Sequence, residues 1–414
     1  MPENDKISRR EMLKKLGQWG VVGAVAATGA AGAIKVITEA DKILSRPSLE
    51  LIPTPEPEKP TLAPQPTENI KPPSIIIEND SPAPDRLSRK EFVMNFGEEK
   101  RVELDLDWAP DTHTSMLKHY GKFLVFLSGR RESYRIETDN LEIMSNPLQI
   151  LAPDFSENKG GTIEYTGTGS VIPGANTNEL IMFYHQETWG NHNGQNFRAD
   201  ICLAVSKDNG FTWEKKETII EGKKPAIPGK RTSGAGQPCA ITFKNEVFVF
   251  YVDWNAVDGF DAIHVAKTKI ETVNNPNTWQ KFNGRDFGAP GITDQSTAVI
   301  SPAVDREKLA YCALPDVSYN QYLNRWLALF ETMDGFYTCT SADLLHWENY
   351  QNVFPFPKPR DKQERGDNWF SYPTLISPDC SSDRITDQNG ILIYSKGQFE
   401  KTPHNMYFSP FRLT

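Results

Sequence analysis

From residue 89 to the C-terminus the chain alternates short apolar runs with polar turns. Runs rich in Val, Ile, Phe and Tyr are separated by Gly, Asn, Asp and Pro, the pattern of β-strands joined by turns. No stretch keeps the helical period over three turns. Five runs align, at 121–129, 178–187, 245–254, 324–332 and 389–397. Each has a polar turn, then an apolar core, then a polar exit. The aligned aromatics are Phe126, Tyr184, Tyr251, Phe330 and Tyr394, spaced about 67 residues apart, a repeat of supersecondary size. A second element precedes each run, at 113–119, 168–173, 237–243, 316–322 and 372–378, with small residues at Ser115, Ser170, Cys239, Ser318 and Thr374. A third element follows the first four runs and ends at or before a Trp in three of them; residues 406–413 supply the fifth.

These repeats predict an all-β fold, a five-bladed β-propeller with four-stranded blades. The small residues belong on the inner strands, where blades crowd a central channel. The strand within 91–106 is expected to close the ring on the last blade. A β-sandwich or jelly roll does not account for five copies of one three-element pattern.

The region before the repeat is of another kind. Residues 35–88 are rich in Pro and poor in groups that can be buried, and read as a disordered, extended linker. Residues 1–34 contain Ser8-Arg9-Arg10-Glu11-Met12-Leu13-Lys14, followed by a soft Gly- and Ala-rich apolar run. The motif resembles the twin-arginine export signal with Met12 in place of Phe, which implies passage through the twin-arginine machinery to the cell envelope or exterior. Cleavage is expected near Ala30 to Ala33. The expected division is therefore 1–34 signal segment, 35–88 linker and 89–414 propeller domain.

Composition narrows the partners. The formal net charge is −9 and no basic cluster follows the signal, which argues against nucleic acid. No run of 18 apolar residues follows residue 40, so membrane contact is expected only through an uncleaved signal. The five cysteines, Cys202, Cys239, Cys312, Cys339 and Cys380, have no zinc spacing and read mainly as buried thiols, with one disulfide, such as Cys312 to Cys339, as the alternative.

Two turns carry a further signature. Ser206-Lys207-Asp208-Asn209-Gly210-Phe211-Thr212-Trp213 matches the Asp-box, and Ser341-Ala342-Asp343-Leu344-Leu345-His346-Trp347 is a close variant. Such turns brace a blade edge and mark a fold, not a catalyst. With the repeat, they make residues 90–414 resemble the secreted propeller glycosidases of glycoside hydrolase families 43 and 32, and also the sialidase-like proteins. The resemblance implies a carbohydrate substrate and carboxylates at the channel mouth. In the family 43 pattern an Asp-Pro dipeptide often opens an inner strand, two residues before the small residue.

At that register this chain has His113, Thr168, Gln237, Asp316 and Tyr372. Asp316 is the one carboxylate among them, and Gln237-Pro238 stands where Asp-Pro would be. A glycosidic bond needs one carboxyl to protonate the leaving oxygen and another to activate water or attack carbon. A second set of carboxylates, Glu187, Asp253 and Glu331, lies where the apolar strands end. Glu187 is the expected acid, since Tyr184 and Trp189 exclude water from it. Asp316 is the expected base or nucleophile, and Asp111 a further candidate base. His113, His185, Trp189, Gln237, Asp253, Trp254, Glu331 and Tyr372 are the expected sugar contacts, with the indoles stacking on pyranose faces. Arg130, Arg131, Arg198 and Arg231 are candidates for a carboxylate-bearing sugar. No metal or cofactor is expected: His113, His185, His192 and His264 lack ligand spacing, and no phosphate loop, nucleophile elbow or HExxH motif occurs. The competing expectation is a non-catalytic glycan-binding or scaffolding propeller.

Overall fold

The computed structural model describes residues 91–158, 160–176, 178–190, 197–222, 232–257, 260–293, 295–301, 311–401 and 403–414. The signal segment and linker expected at 1–34 and 35–88 lie outside them, as do Arg231 and His192. Among the described residues the helical elements are three short 3-10 turns, at Ile270–Thr272, Pro276–Thr278 and Arg360–Lys362. The rest is strand and turn.

The strands form five antiparallel meanders, and in each the first strand is the inner one. The first meander has Ser115–His119, Lys122–Ser128, Ser133–Thr138 and Leu148–Leu151. The second has Gly161–Pro173, Leu180–Trp189, Phe197–Ser206 and Glu214–Glu221. The third has Thr232–Phe243, Glu246–Val257, Phe260–Lys269 and Gln280–Phe282. The fourth has Ala313–Asn320, Arg325–Glu331, Gly335–Ser341 and Trp347–Pro355. The fifth has Asn368–Ile376, Asn389–Gln398 and Asn405–Leu413, and Met94–Phe96 pairs with its last strand as Met94 opposite Leu413. The strand expected to close on the last repeat does so. A short parallel pairing of Phe197–Ala199 with Thr232–Gly234 also joins the second and third meanders.

The apolar runs are buried because each meander packs face to face on the next. The core divides into clusters between neighbours: Leu124, Phe126 and Met182 join the first to the second, and Phe183, Ile201 and Val249 the second to the third. Phe250, Val265 and Phe330 join the third to the fourth, and Leu329, Phe336 and Leu392 the fourth to the fifth. Val125, Ile136 and Ile393 pack the fifth back on the first.

The inner strands are stitched in the same circular order. The Val171 amide donates to Ser115 Oγ at 2.9 Å and the Ala240 amide to Ser170 Oγ at 2.8 Å. The Val317 amide donates to Cys239 Sγ at 3.1 Å, the Leu375 amide to Asp316 Oδ2 at 2.7 Å, and the Thr114 amide to Thr374 Oγ1 at 3.3 Å. Small side chains are required here because an acceptor on a short stem must reach the neighbouring backbone. Four of the five small residues aligned in the sequence take this place. In the fourth meander the acceptor is Asp316, and Ser318 instead bonds Thr386 at 2.9 Å.

The reason is the hairpin turn, which in the third meander lies between Phe243 and Glu246 and in the fourth is longer, between Asn320 and Arg325. The inner strands of the third, fourth and fifth meanders each gain one residue relative to their partners, between Gly236 and Cys239, Ala313 and Asp316, and Ser371 and Thr374. The bulged residues are Gln237, Leu314 and Tyr372, with φ of 54°, 55° and 56°, and each precedes a proline. An αL residue before proline is strained. Leu314, not Asp316, therefore holds the position of Gln237 and Tyr372.

The two Trp-bearing turns hold themselves together. Asp208 accepts from the Thr212 amide at 2.9 Å and from Ser206 Oγ at 2.8 Å, while Trp213 Nε1 donates to the Gly210 carbonyl at 3.0 Å. Asp343 likewise accepts from the Leu345 and His346 amides, at 2.9 and 2.8 Å, with Leu344 in the left-handed position (φ 71°) that Gly210 fills in the other turn. The five cysteines form no disulfide with one another, and four are buried.

Candidate active site

Antiparallel pairing brings the ends of the second strands back to where the inner strands begin. Tyr165 sits opposite Glu187, Ala235 opposite Asp253 and Ala313 opposite Glu331. The acids expected from the sequence therefore share one end of the structure with Asp111, which precedes the first inner strand. They do not share one role.

Asp316 belongs to a buried ionic cluster on the axis. Arg384 Nη2 donates to Asp316 Oδ1 at 2.7 Å, to Asp383 Oδ2 at 2.8 Å, and lies 2.9 Å from His113 Nε2. Arg384 Nη1 donates to Cys239 Sγ at 2.6 Å and to the Val317 carbonyl at 2.7 Å. Burial would raise the Asp383 carboxyl, but Arg384 and His113 hold it below its usual range. Arg384 arrives on the segment after the fifth inner strand, which runs back across the ends of the first and fourth inner strands: the Asp383 amide bonds the Met116 carbonyl at 3.1 Å, and the Tyr319 amide bonds the Arg384 carbonyl at 2.9 Å. This segment bolts the two inner strands together. With one oxygen on Arg384 and the other on the Leu375 amide, Asp316 is committed to binding the structure together. Nothing in the sequence around residues 379–388 set Arg384 apart from a loop residue.

His113, Gln237, Leu314, Pro315, Tyr372 and Pro373 line a narrow crevice beside this cluster. Gln237 is buried, and its Oε1 has no hydrogen-bond partner.

Tyr372 leads from this space to Asp111. Its hydroxyl donates to Asp111 Oδ1 at 3.0 Å, and the Tyr165 hydroxyl donates to the Asp111 carbonyl at 3.0 Å. Asp111 is 8% exposed. Burial pushes its carboxyl well above the usual range, the hydrogen bond from Tyr372 opposes this, and the negative charge of Glu187 adds to it. Glu187 comes from the adjacent meander. Trp189 Nε1 donates to its Oε2 at 2.8 Å, and His185 Nε2 stands 3.3 Å from its Oε1. His185 in turn packs on Trp254, with ring centroids 5.4 Å apart. The structure thus gathers Asp111, Glu187, His185, Trp189, Trp254 and Tyr372.

Glu331 is near but engaged. Tyr311 donates to its Oε1 at 2.7 Å, Ser371 to its Oε2 at 2.6 Å, and Arg360 pairs with it at 2.8 Å. Asp253 is fully buried, beside Tyr251. The arginines do not converge: Arg198 pairs with Asp200 at 3.4 Å, Arg131 with Glu164 at 3.5 Å, and Arg130 lies over the Trp108 ring.

Sequence reasoning missed His404. Its ring is wedged among Trp108, Trp369 and Tyr372, with centroids at 5.4, 5.1 and 5.9 Å. Its Nε2 lies 3.9 Å from Asp111 Oδ1. A single histidine far from the other candidates in the chain gave no signal. Among the described residues no group of three or more His, Cys, Asp or Glu side chains is arranged to hold a metal ion.

Neither a family model nor any curated protein matches the chain. Among solved structures, it is similar to the catalytic domain of a GH62 α-L-arabinofuranosidase from Coprinopsis cinerea, at 13% identity and TM-score 0.50, over 77% of this chain and 97% of that one. A thermostable family-43 glycoside hydrolase matches at 13% identity and TM-score 0.47, over 75% of this chain and 91% of that one. An exo-β-1,3-galactanase from Clostridium thermocellum matches at 10% identity and TM-score 0.42, over 75% of this chain and 61% of that one. What the chain shares with the first of these is its fold, nearly all-β and of the type found in propeller glycoside hydrolases.

Proposed function

We propose that this chain is an exported, five-bladed propeller glycoside hydrolase whose acid–base pair is Asp111 and Glu187. Five inner strands linked in a circle, with a core between each neighbouring pair, support the blade count. The observation that carries the chemistry is that Asp111 and Glu187, on adjacent meanders, lie near enough for the charge of Glu187 to act on Asp111, each bonded to an aromatic side chain, Tyr372 and Trp189. Two carboxyls in unlike surroundings are the elementary requirement for cleaving a glycosidic bond. Asp111, in its dry setting, has a pKa raised by burial and is the general acid. Glu187, held by the Trp189 indole N–H, is the partner that activates water or attacks the anomeric carbon. Tyr372 and Tyr165 fix Asp111, and the indoles of Trp189 and Trp254 border the sugar. Asp316, Asp253 and Glu331 have structural or supporting roles in this assignment.

The second reading is a glycan-binding propeller without turnover. It is favoured by one observation: the axial positions of three blades carry Gln237, Leu314 and Tyr372, none of them a carboxylate. Hydrolysis of an arrayed neutral glycan panel by wild type, Asp111→Asn and Glu187→Gln separates the two. The enzyme reading expects a cleaved glycan and a loss of about two or more orders of magnitude in each variant. Binding without cleavage by wild type, with equal binding by both variants, overturns it.

A further inference from the structure

His404 is 3% exposed, and its Nε2 has no hydrogen-bond partner. Backbone hydrogen bonding at Pro110 and Trp108 acts on its ring; with Nε2 unpartnered, we assign the ring proton to Nδ1, which leaves Nε2 an acceptor. Burial pulls its pKa down to about 4, so the ring is neutral at physiological pH. Beside it, Trp108 Nε1 is also buried without a partner, and Trp108 itself is held at φ 60°. Buried polar atoms of this kind are costly unless a partner arrives. One is an acceptor and the other a donor, and a hydroxyl group both donates and accepts.

His404 Nε2 lies 3.9 Å from Asp111 Oδ1, too long for a direct hydrogen bond and close enough for neighbouring oxygens of one ligand to reach both residues. Tyr372 already donates to Asp111 Oδ1, which leaves the carboxyl proton to Oδ2. We propose that Asp111 and His404 together read two oxygens on adjacent sugar carbons: the linkage oxygen at Asp111, and a free hydroxyl next to it that donates to His404 Nε2 and accepts from Trp108 Nε1. This rests on the carbohydrate reading above and adds a substrate rule. The ligand is a neutral sugar with an unsubstituted hydroxyl beside its linkage, and His404 is the positioning residue that demands it. The titratable and charged groups acting on this corner are Asp111, Tyr372, Tyr165, Glu187 and Arg130, whose guanidinium lies over the Trp108 ring.

The test reads binding, so that turnover is not needed. In the Asp111→Asn protein, calorimetry compares methyl glycosides of galactose, xylose and arabinose with their 2-deoxy counterparts. The same pairs are run with His404→Phe and with His404→Gln added. Losing the hydroxyl is expected to weaken binding about tenfold where His404 is present. The penalty shrinks to near unity in His404→Phe and returns in part in His404→Gln, whose amide oxygen is an acceptor. A merely structural histidine changes thermal stability but not the ratio between paired sugars. Equal affinities for paired sugars with His404 intact, or an unchanged deoxy penalty in His404→Phe, overturn this proposal alone. Absence of hydrolysis with the discrimination intact overturns the enzyme reading alone. Failure of every sugar to bind overturns both.

Discussion

His404 offers a stability signal that can be calculated. In the unfolded chain its imidazole takes up a proton below pH 6.5; in the folded chain burial delays this to about pH 4. Protons therefore favour the unfolded state across that window, and stability falls as the pH drops through it. Each pKa unit corresponds to about 1.4 kcal/mol, so between about pH 7.5 and pH 4.5 the native state loses roughly 2.5 kcal/mol through this residue. Asp111 acts in the opposite sense. Its folded pKa is raised, so its contribution is fully present below the unfolded carboxyl pKa and is lost as pH rises through the folded one. The comparison must therefore be between wild type and His404→Phe, in which Asp111 is common to both. The phenyl ring stays in the cage of Trp108, Trp369 and Tyr372, so the constant packing term is small and the pH-dependent term is isolated. Urea unfolding at both pH values, followed by tryptophan fluorescence, gives the two slopes. The expected result is a wild type that loses about 2.5 kcal/mol more than the variant on acidification. Equal losses refute the reasoning, since they mean that His404 is solvated or charged in the native state.

Other consequences are open to equally direct checks. Asp111→Asn removes a buried acid of raised pKa, so thermal unfolding at neutral pH is expected to move up relative to wild type, with the difference vanishing below the ordinary carboxyl range; a destabilised variant at neutral pH contradicts the dry setting. Arg384→Met strands Asp316 and Asp383, and is expected to cost about 3–5 kcal/mol in denaturant unfolding; a loss under about 1 kcal/mol contradicts the bolt. Asp208→Ala frees the Thr212 amide and is expected to cost about 1 kcal/mol without changing glycan binding; altered sugar affinity places function at that turn. Changing Arg9 and Arg10 together to Lys is expected to retain the protein in the cytoplasm, read by cell fractionation.

The repeat was legible because blade packing imposes it. Each apolar run buries one strand between two neighbours, so Phe126, Tyr184, Tyr251, Phe330 and Tyr394 recur at the same place, all under 2% exposed. The small residues recur because each inner strand passes a hydrogen bond to the next. The register failed at the fourth hairpin, whose turn between Asn320 and Arg325 is longer than that between Phe243 and Glu246, so counting back from the apolar run lands on Asp316, although Leu314 holds the place of Gln237. Of the proposed acid–base pair, both members were among the sequence candidates, but their partnership was not visible. Asp111 and Glu187 are brought together by the packing of two meanders, and a charge's burial is set by neighbours distant in the chain. Arg384 and His404 gave no signal for the same reason: Asp316 and His113, which fix Arg384, lie 68 and more residues away, and the rings around His404 come from two distant segments, Trp108 from one and Trp369 and Tyr372 from the strand Asn368–Ile376.

The central claim is that sugar is held and cleaved between Asp111 and Glu187. A crystal structure of Asp111→Asn with a glycan that wild type cleaves or binds tests it most directly. The account predicts the linkage oxygen of the glycan within about 2.7–3.2 Å of the residue 111 side chain, with the anomeric carbon facing Glu187 and a sugar hydroxyl on His404. A glycan seated elsewhere, on the outer turns around Asp208 and Asp343 or beyond reach of both carboxyls, contradicts it.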